Sequence, residues 1–430
     1  MKQTVYLILP LLFTLVLACN SSSTLKNKED SKVEVKKNDK GQWRLLRNGK
    51  EFYIKGAGGK THLEMIKAYG GNSIRIWDLG NAEVILDSAH KHGLTVMAGL
   101  WMKHERHGFD YDDSLAVKEQ LAKFKERVSK LKNHPALLLW AVGNEVDLFY
   151  TNTKVWDAVN DVAKMIKEVD GRHPITTITA GLDAKEVKLI KEKAPAIDIY
   201  GINTYGGLSF IPEEIRAFGW SGPYLIGEWG PTGHWETDST SWDVPIEETS
   251  KEKANIYLER YQSAIQRDSV QCIGSYVFYW GQKQETTPTW YGIFTEAGAI
   301  TEVGDVLYAI WSNESMRDPG PSLDSVKLFN REARENIVLS KRQLTTAEVF
   351  YSKGNNPVKI EWEVLPESTD KKAGGDKENR PEQLKGLIKD NNKSLIDLTA
   401  PDSAGPYRLF VYVTDEHNKV ATANIPFYVQ

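Results

Sequence analysis

Short apolar runs alternate with longer segments of helical periodicity between residues 43 and 312. An apolar run bounded by turn residues predicts a strand that is buried on both faces, as strands of parallel sheets are. The intervening segments 115–131, 155–169 and 251–265 place apolar side chains at helical spacing and predict helices. The expected strands cover residues 52–56, 73–77, 95–100, 137–143, 175–178, 197–203, 224–227 and 274–280.

The number and spacing of these strands distinguish two architectures. Eight strands, each followed by a helix, match a (β/α)8 TIM barrel in both count and size. A doubly wound open sheet is the alternative, but no Rossmann-type glycine motif follows an early strand, and the Gly-Ala-Gly-Gly sequence at 56–59 lacks the required spacing. We therefore predict an α/β fold with a (β/α)8 domain at residues 41–312.

The pattern changes after a linker at residues 313–322, which contains Pro-Gly-Pro. Short alternating segments separated by turns predict a small all-β, immunoglobulin-like sandwich at residues 323–430. The charged stretch 367–393 contains two adjacent glycines and is predicted to be a mobile loop. Aromatic residues of the sandwich alternate as core residues do, so we expect this domain to be a structural spacer rather than a ligand-binding module.

The N-terminus carries a targeting signal. A positive charge at Lys2 precedes an apolar stretch at 5–17, which is too short for a comfortable membrane span. Val-Leu-Ala before Cys19 resembles the lipobox of bacterial lipoproteins, and an ordinary cleaved signal is the alternative. The lipobox interpretation makes residues 1–18 a signal peptide, Cys19 the lipidated residue and residues 19–40 a flexible tether. We then expect a lipid-anchored protein of the bacterial cell envelope, in the outer membrane.

Composition limits the choice of partners. The net charge is −4 and no strongly basic stretch is present, which argues against nucleic-acid binding. The chain has 13 Trp, 18 Tyr and 13 Phe, and flat aromatic rings pack well on the apolar faces of sugars. After lipidation only Cys272 would remain, so an internal disulfide is excluded. We expect a monomer that binds a polysaccharide or oligosaccharide without a cofactor.

Two of the apolar runs end in a glutamate, namely Glu145 after the fourth predicted strand and Glu228 after the seventh. In a parallel barrel the chemistry lies at the C-terminal ends of the strands, and strands four and seven face each other across the mouth. Hydrolysis of a glycosidic bond needs two such acids, because one protonates the leaving oxygen and the other attacks the sugar carbon. The pair therefore predicts a glycoside hydrolase.

Gly-Asn-Glu on strand four, with Ile-Gly-Glu-Trp on strand seven, resembles the clan A retaining glycoside hydrolases. The resemblance implies that Glu145 is the acid/base, that Glu228 is the nucleophile and that configuration is retained. Retention goes with carboxyl groups about 5 Å apart, whereas about 9 Å would indicate inversion. The resemblance also implies four substrate-binding residues, each of which has a structural alternative. Asn144 would bind the sugar 2-hydroxyl, Arg75 would lie behind the nucleophile, Tyr205 would contact it, and Trp280 would form the floor of the −1 subsite.

Further candidate substrate contacts are Trp101 and His104 in the loop after the third strand, and Trp229 directly after the nucleophile. His104 with Glu105 and His107 could also suggest a metal site. The order is not His-Glu-x-x-His, however, and a glycine interrupts the segment, so we predict no metal. Residues 234–236 are expected to wall the positive subsites.

The layout of a lipidated barrel followed by a sandwich resembles glycoside hydrolase family 158, whose members are endo-β-1,3-glucanases. The barrel also resembles families 2 and 5, and Gly-Asn-Glu-Val is similar to a segment of the family 72 glucanosyltransferases. The sequence thus predicts endo-cleavage of laminarin-type β-1,3-glucan through a covalent glycosyl-enzyme. Hydrolysis or transglycosylation of another β-glycan, such as β-mannan or β-1,4-glucan, and non-catalytic glycan binding at the cell surface remain alternatives.

Overall fold

The computed structural model of the protein describes residues 32–352 and 358–430. Eight parallel strands close into a barrel in sequence order, so the prediction of a (β/α)8 barrel is confirmed. All eight predicted strands are present, with ends that differ by a few residues. Barrel strands 1 to 8 are Ile54–Gly58, Ser73–Ile76, Thr95–Leu100, Leu137–Val142, Ile175–Ala180, Ile199–Asn203, Tyr224–Trp229 and Cys272–Val277.

Helices follow the strands and cover the outside of the barrel. Their inward faces are apolar, as in Lys154–Val169, where Val155, Val159 and Ile166 are buried. Within the described residues the α-helices are Leu63–Ala68, Ala82–Lys91, Ser114–Leu131, Lys154–Val169, Ala184–Lys193, Ile211–Ala217, Ser250–Arg260 and Glu302–Ser312, with 3-10 turns at Glu105–His107, Gly206–Phe210 and Ala333–Glu335 and a π-helical turn at Tyr261–Gln266. None of the helices within the described ranges has the length and apolar character needed to cross a membrane.

A small antiparallel sheet lies against the floor of the barrel and corrects the predicted tether. Strand Val33–Lys37 pairs with Trp43–Arg47, which continues into Lys50–Glu51. Val33 on the first strand and Leu45 on the second are buried in a cluster with inward-facing barrel residues. Apolar and charged residues alternate in Val33–Lys37, which gives that strand one apolar face. The tether therefore cannot extend to residue 40. The signal peptide 1–18 and the lipidation site Cys19 lie outside the described residues.

The C-terminal domain is a sandwich of two sheets around its own apolar core. One sheet contains Ile337–Leu339, Val358–Pro366, Gly405–Asp415 and Lys419–Val429, and the other contains Ser322–Leu328, Leu344–Ser352 and Leu395–Thr399. Ile300–Thr301, which directly precedes the last barrel helix, adds a short parallel strand to Lys419–Val429. The two domains therefore share backbone hydrogen bonds.

Polar contacts reinforce this junction. The Asn424 side chain donates to the buried Glu247 carboxylate at 2.6 Å, and the Thr422 amide donates to the Ser250 hydroxyl at 2.8 Å. Arg408, which is 1% exposed, donates to the Pro245 carbonyl at 2.8 Å. A buried charge that lost these partners would be strongly destabilising, so the contacts fix the sandwich against the barrel.

Candidate active site

Both predicted catalytic acids line one cavity of about 770 Å³ at the C-terminal mouth of the barrel. This size is typical of small-molecule binding sites. Glu145 follows strand 4, and Glu228 lies in strand 7, on the other side of the lumen. The two glutamates therefore reach the same cavity from different sides of the barrel.

Three hydrogen-bond donors surround the Glu228 carboxylate. Trp77 Nε1 donates to Oε1 at 2.8 Å, the Arg75 guanidinium lies 3.1 Å from the same oxygen, and the Tyr205 hydroxyl donates to Oε2 at 3.1 Å. Contacts to both oxygens fix the orientation of the carboxylate, and a carboxylate can act as the nucleophile of covalent catalysis.

Glu145 lies in the opposite electrostatic environment. Its backbone has a φ of +50°, a left-handed conformation that is uncommon for a residue with a side chain, and its amide donates to the Ile178 carbonyl at 2.8 Å. Burial, and next the charge of Glu228, raises the pKa of Glu145 to about 8. Asn203 Nδ2 donates to its carboxyl oxygen at 2.7 Å. A carboxyl group with this pKa holds a proton at neutral pH and can act as a general acid.

A network of two asparagines and an arginine connects the acids. Arg75 donates to the side-chain oxygens of Asn144 and Asn203, at 2.5 Å and 3.0 Å. Asn203 Nδ2 also donates to Asn144 Oδ1 at 3.0 Å. Because Asn144 Oδ1 already accepts twice, its amide nitrogen is the group left for a ligand, and Asn144 lines the cavity as predicted.

Arg75 does not contact the cavity, which corrects its grouping with the substrate-binding residues. The side chain is 1% exposed and lies beneath Glu228 and the asparagines, as the resemblance to clan A implied. Its five donors are suited to holding several oxygens at once, so the structure gives Arg75 a positioning role.

His104 likewise lies beneath the site, whereas Trp101 lines the cavity. His104 Nε2 contacts the Asn144 carbonyl oxygen at 2.6 Å, and burial lowers the pKa of the imidazole to about 4. The ring is therefore neutral and donates to that carbonyl. The predicted contact of His104 with substrate is wrong because the side chain is 1% exposed.

The neighbouring residues of that loop are paired elsewhere. His107 Nε2 lies 2.8 Å from Asp376, and the Glu105 carboxylate accepts from the Thr151 and Asn152 amides at 2.9 Å and 3.0 Å. No cluster of His, Cys, Asp and Glu within residues 32–352 and 358–430 could hold a metal ion.

The predicted substrate contacts at Trp229 and Trp280 are wrong, because both indoles are fully buried outside the cavity. Side chains alternate along a strand, so Trp229 points outward and packs on Tyr257, with ring centroids 5.3 Å apart. Strand 8 ends at Val277, earlier than expected. Trp280 therefore lies in the following turn, where its ring centroid is 5.3 Å from that of Phe294.

Sequence reasoning missed several residues that line the cavity. Phe278 and Tyr279 take the place expected for Trp280, and Trp77 and Asn203 join the contacts to the acids. Trp77 directly follows strand 2 and Asn203 ends strand 6, so their positions at strand ends were a usable signal. Tyr205 and residues 234–236 line the cavity, as expected.

The charged stretch 367–393 is not the loose loop that was predicted. Residues 371–376, which we call the rim segment, line the same cavity as Glu145 and Glu228. An ion pair and a buried hydrogen bond hold the stretch in place. Arg380 donates to Glu363 at 2.7 Å, and the buried Glu378 carboxylate accepts from the Thr286 amide at 2.7 Å. The sandwich therefore contributes to the site and is more than a spacer.

Comparison with known proteins supports a glycoside hydrolase. The sequence profile "Glycosyl hydrolases family 2, TIM barrel domain" matches residues 47–205. The β-glucuronidase of Paenibacillus borealis is 26% identical over 205 residues, which cover 40% of this chain and 33% of that protein. The β-glucuronidase of Chlorocebus aethiops is 23% identical over 182 residues, 37% of this chain and 26% of that protein. The chain thus spans about a third or less of the length of these curated relatives.

Solved structures share the fold at low identity. The β-D-glucuronidase of Dictyoglomus thermophilum superposes with a TM-score of 0.51 at 20% identity, over 66% of this chain and 54% of that one. A β-glucuronidase of Bacteroides uniformis gives 0.50 at 15% identity, over 92% and 48%. The profile and the curated relatives confirm the predicted enzyme class, a glycoside hydrolase, whereas the solved structures show that the fold is shared. The profile similarity is to family 2, and none of these matches supports family 158.

Proposed function

We propose that this protein is a retaining β-glycoside hydrolase in which Glu145 is the acid/base and Glu228 the nucleophile. The observation that carries the proposal is that two glutamates on facing barrel strands line one cavity in opposite environments. Donors surround Glu228, while burial keeps Glu145 protonated at neutral pH. One group is thus prepared to attack and the other to give a proton.

The reaction proceeds in two displacements. Glu228 attacks the anomeric carbon while Glu145 transfers its proton to the glycosidic oxygen, and the leaving sugar departs as an alcohol. Glu145, now anionic, takes a proton from a water molecule that attacks the same carbon and releases Glu228. Asn144 donates to the 2-hydroxyl through its free amide nitrogen, and Arg75 holds Asn144 and Glu228 in register.

Paired variants test this assignment. We expect Glu228→Gln to lower kcat by several orders of magnitude, and Glu145→Gln to do so by about 10²–10⁴, since general acid catalysis contributes that much. Glu145→Gln should spare aryl glycosides with good leaving groups, which need no proton. The exposed Glu192→Gln is the matched control. Binding of glycan by all variants, with no turnover by the parent, would favour the non-catalytic alternative.

For the substrate we propose β-1,3-glucan, on the resemblance of the sequence layout to family 158, whose members cleave it. The names of the curated relatives favour a second candidate, a β-glucuronide. Product release from laminarin, β-mannan, cellulose, xyloglucan and 4-nitrophenyl β-glucuronide distinguishes them. Turnover of the glucuronide alone would remove the glucan proposal, and a β-anomeric first product, seen by NMR, would establish retention.

We also propose that Cys19 is lipidated and anchors a monomeric enzyme in the outer membrane. The support is the sequence Val-Leu-Ala-Cys at the end of the N-terminal apolar stretch. Cys19→Ala should move the protein from the membrane fraction to the soluble fraction of expressing cells. An unchanged membrane fraction would contradict the anchor, and light scattering of the purified chain would test the monomer.

A further inference from the structure

The barrel leaves part of its own rim low. Strand 1 ends at Gly58 and its helix begins at Leu63, and strand 2 ends at Ile76 with its helix beginning at Ala82. Of the residues in these two loops, Trp77 alone lines the cavity. Any wall on this side of the mouth has to come from another part of the chain.

The rim segment spans this low part of the rim. At one end of the gap, Lys283 in the loop after strand 8 donates to the Gly375 carbonyl at 2.7 Å. At the other, His107 in the loop after strand 3 lies 2.8 Å from the Asp376 carboxylate, and Arg106 lies 3.6 Å from it. The consecutive residues Gly375 and Asp376 are therefore held by long side chains from the loops of strands 8 and 3.

Close backbone packing shows that the bridge is fitted to the barrel. Gly374 has a φ of +66°, and a Cβ added there would lie 2.7 Å from the Arg106 guanidinium. Behind the segment, the buried Glu378 accepts from the Lys372 amide at 3.0 Å as well as from Thr286. The positive φ favours glycine at this position, and the missing side chain lets the backbone lie directly against Arg106.

The positions of the catalytic acids indicate which end of the substrate lies against the rim segment. Glu145 has to face the oxygen that leaves with the aglycone, and the exposed Phe149 lies beside it on the strand 4 side of the cavity. The rim segment contacts the loops of strands 8 and 3. The glycone, the sugar whose bond is broken, therefore extends toward the rim segment.

We infer that the rim segment closes the glycone end of the cleft, so that the enzyme removes short units from the chain end rather than cutting internally. This inference rests on the proposed function and replaces the endo mode that family 158 implied. The ligand of the wall is the non-reducing end of a β-glycan. Lys371 lines the cavity and can donate to its hydroxyls.

The test compares three full-length variants with the parent. One replaces residues 371–376 by three glycines, the second is Asp376→Ala, which removes the anchor to His107, and the third is the control Asp390→Asn. Asp390 is an exposed acid of the same 367–393 stretch, paired with Lys393 at 3.0 Å and outside the cavity. Products are followed from laminarihexaose or from the hexasaccharide of the linkage that the substrate panel identifies.

We expect the parent and Asp390→Asn to release mono- or disaccharide first. The shortened variant, and more weakly Asp376→Ala, should give internal fragments and about a tenfold higher ratio of viscosity loss to new reducing ends. For Asp390→Asn, kcat/KM on an aryl monoglycoside should stay within about threefold of the parent value. Internal cleavage by the parent, or the same product pattern in all variants, would overturn the inference.

If the parent cleaves nothing, the proposed function fails on its own. In that case, the affinity for laminarihexaose is compared between the parent and the shortened variant. A weaker affinity in the shortened variant supports a closed binding site, and an equal affinity overturns the inference as well.

Discussion

At the scale of single residues, the position of each acid was predictable but its environment was not. Glu145 and Glu228 end apolar runs, and a strand end is visible in the sequence. Their partners Trp77, Asn203 and Arg75 come from other strands, and only barrel closure brings them together. Contacts between side chains far apart in sequence leave no local pattern to read.

The protonation of Glu145 gives a prediction for pH. Its pKa is raised to about 8, and the acid form is the active one, so kcat/KM should fall as pH rises through about 8. Glu145→Gln should lose this basic limb on an aryl glycoside. Asp147, whose pKa burial raises to about 7, is the matched control, and Asp147→Asn should keep the limb. A limb that disappears only in Asp147→Asn would contradict the assignment.

The Trp77 indole gives a second prediction at this scale. Trp77→Phe keeps an aromatic ring beside Phe278 but removes the donor to Glu228. Loss of a hydrogen bond to a charged group costs about 1.5–3 kcal/mol, so kcat/KM should fall about 10- to 100-fold. The rate of labelling of Glu228 by a 2-fluoro glycoside should fall in parallel. Slower turnover with unchanged labelling would place the effect elsewhere.

At the scale of helices and strands, apolar periodicity located the elements and turn chemistry decided where they end. The prediction carried strand 8 through Trp280, because aromatic residues favour strands. The observed strand stops at Val277, where the chain turns across the mouth and Phe278 lines the cavity. Strand Val33–Lys37 was missed since charged residues flank it and its apolar partner face is the barrel floor.

Helix Ser114–Leu131 gives a prediction about stability. The Asp113 carboxylate caps it by accepting from the Leu115 and Ala116 amides at 3.0 Å and 3.1 Å. Asp113→Ala should lower the free energy of unfolding by about 1 kcal/mol, measured by urea denaturation. Glu119→Ala, an exposed change within the same helix, should be nearly neutral. Equal effects of the two changes would mean that the cap is not what stabilises this end.

At the scale of the whole molecule, the relation between the domains was the main failure of prediction. Each domain was located from its own pattern, whereas their contacts join residues far apart, such as Glu247 with Asn424. From sequence alone the rim segment looks like a polar loop, because the residues that bind it belong to the barrel. Charge complementarity across a junction is visible only once both surfaces are in place.

Buried acids make the stability of the whole chain depend on pH. Burial raises the pKa of Glu145 to about 8 and those of Asp147 and Glu285 to about 7, so the folded state holds protons that the unfolded chain has lost. This stabilisation is complete below the unfolded pKa values and is lost as pH rises through 7 to 8. His104 and His234, with pKa values lowered to about 4, act oppositely, but only below about pH 6.5.

We therefore expect Tm to fall between pH 6.5 and 8.5, as measured by calorimetry. Glu285→Gln should flatten this dependence. Glu83→Gln should not, because Arg127 and Lys130 lower the pKa of the half-buried Glu83 to about 2, far from this range. A Tm that rises over this interval would contradict the assigned protonation of the buried acids.

The pairing of Ile300–Thr301 with Lys419–Val429 has a consequence for biosynthesis. Lys419–Val429 follows every other described element in the chain, yet it joins the barrel to the sandwich sheet. During translation the barrel leaves the ribosome before this strand has been synthesised. Because domains fold as they leave the ribosome, the barrel folds before the strand can pair with it. A nascent chain stopped before Lys419 would then carry a barrel that lacks its docked sandwich, so the cleft is completed only after this strand has been made.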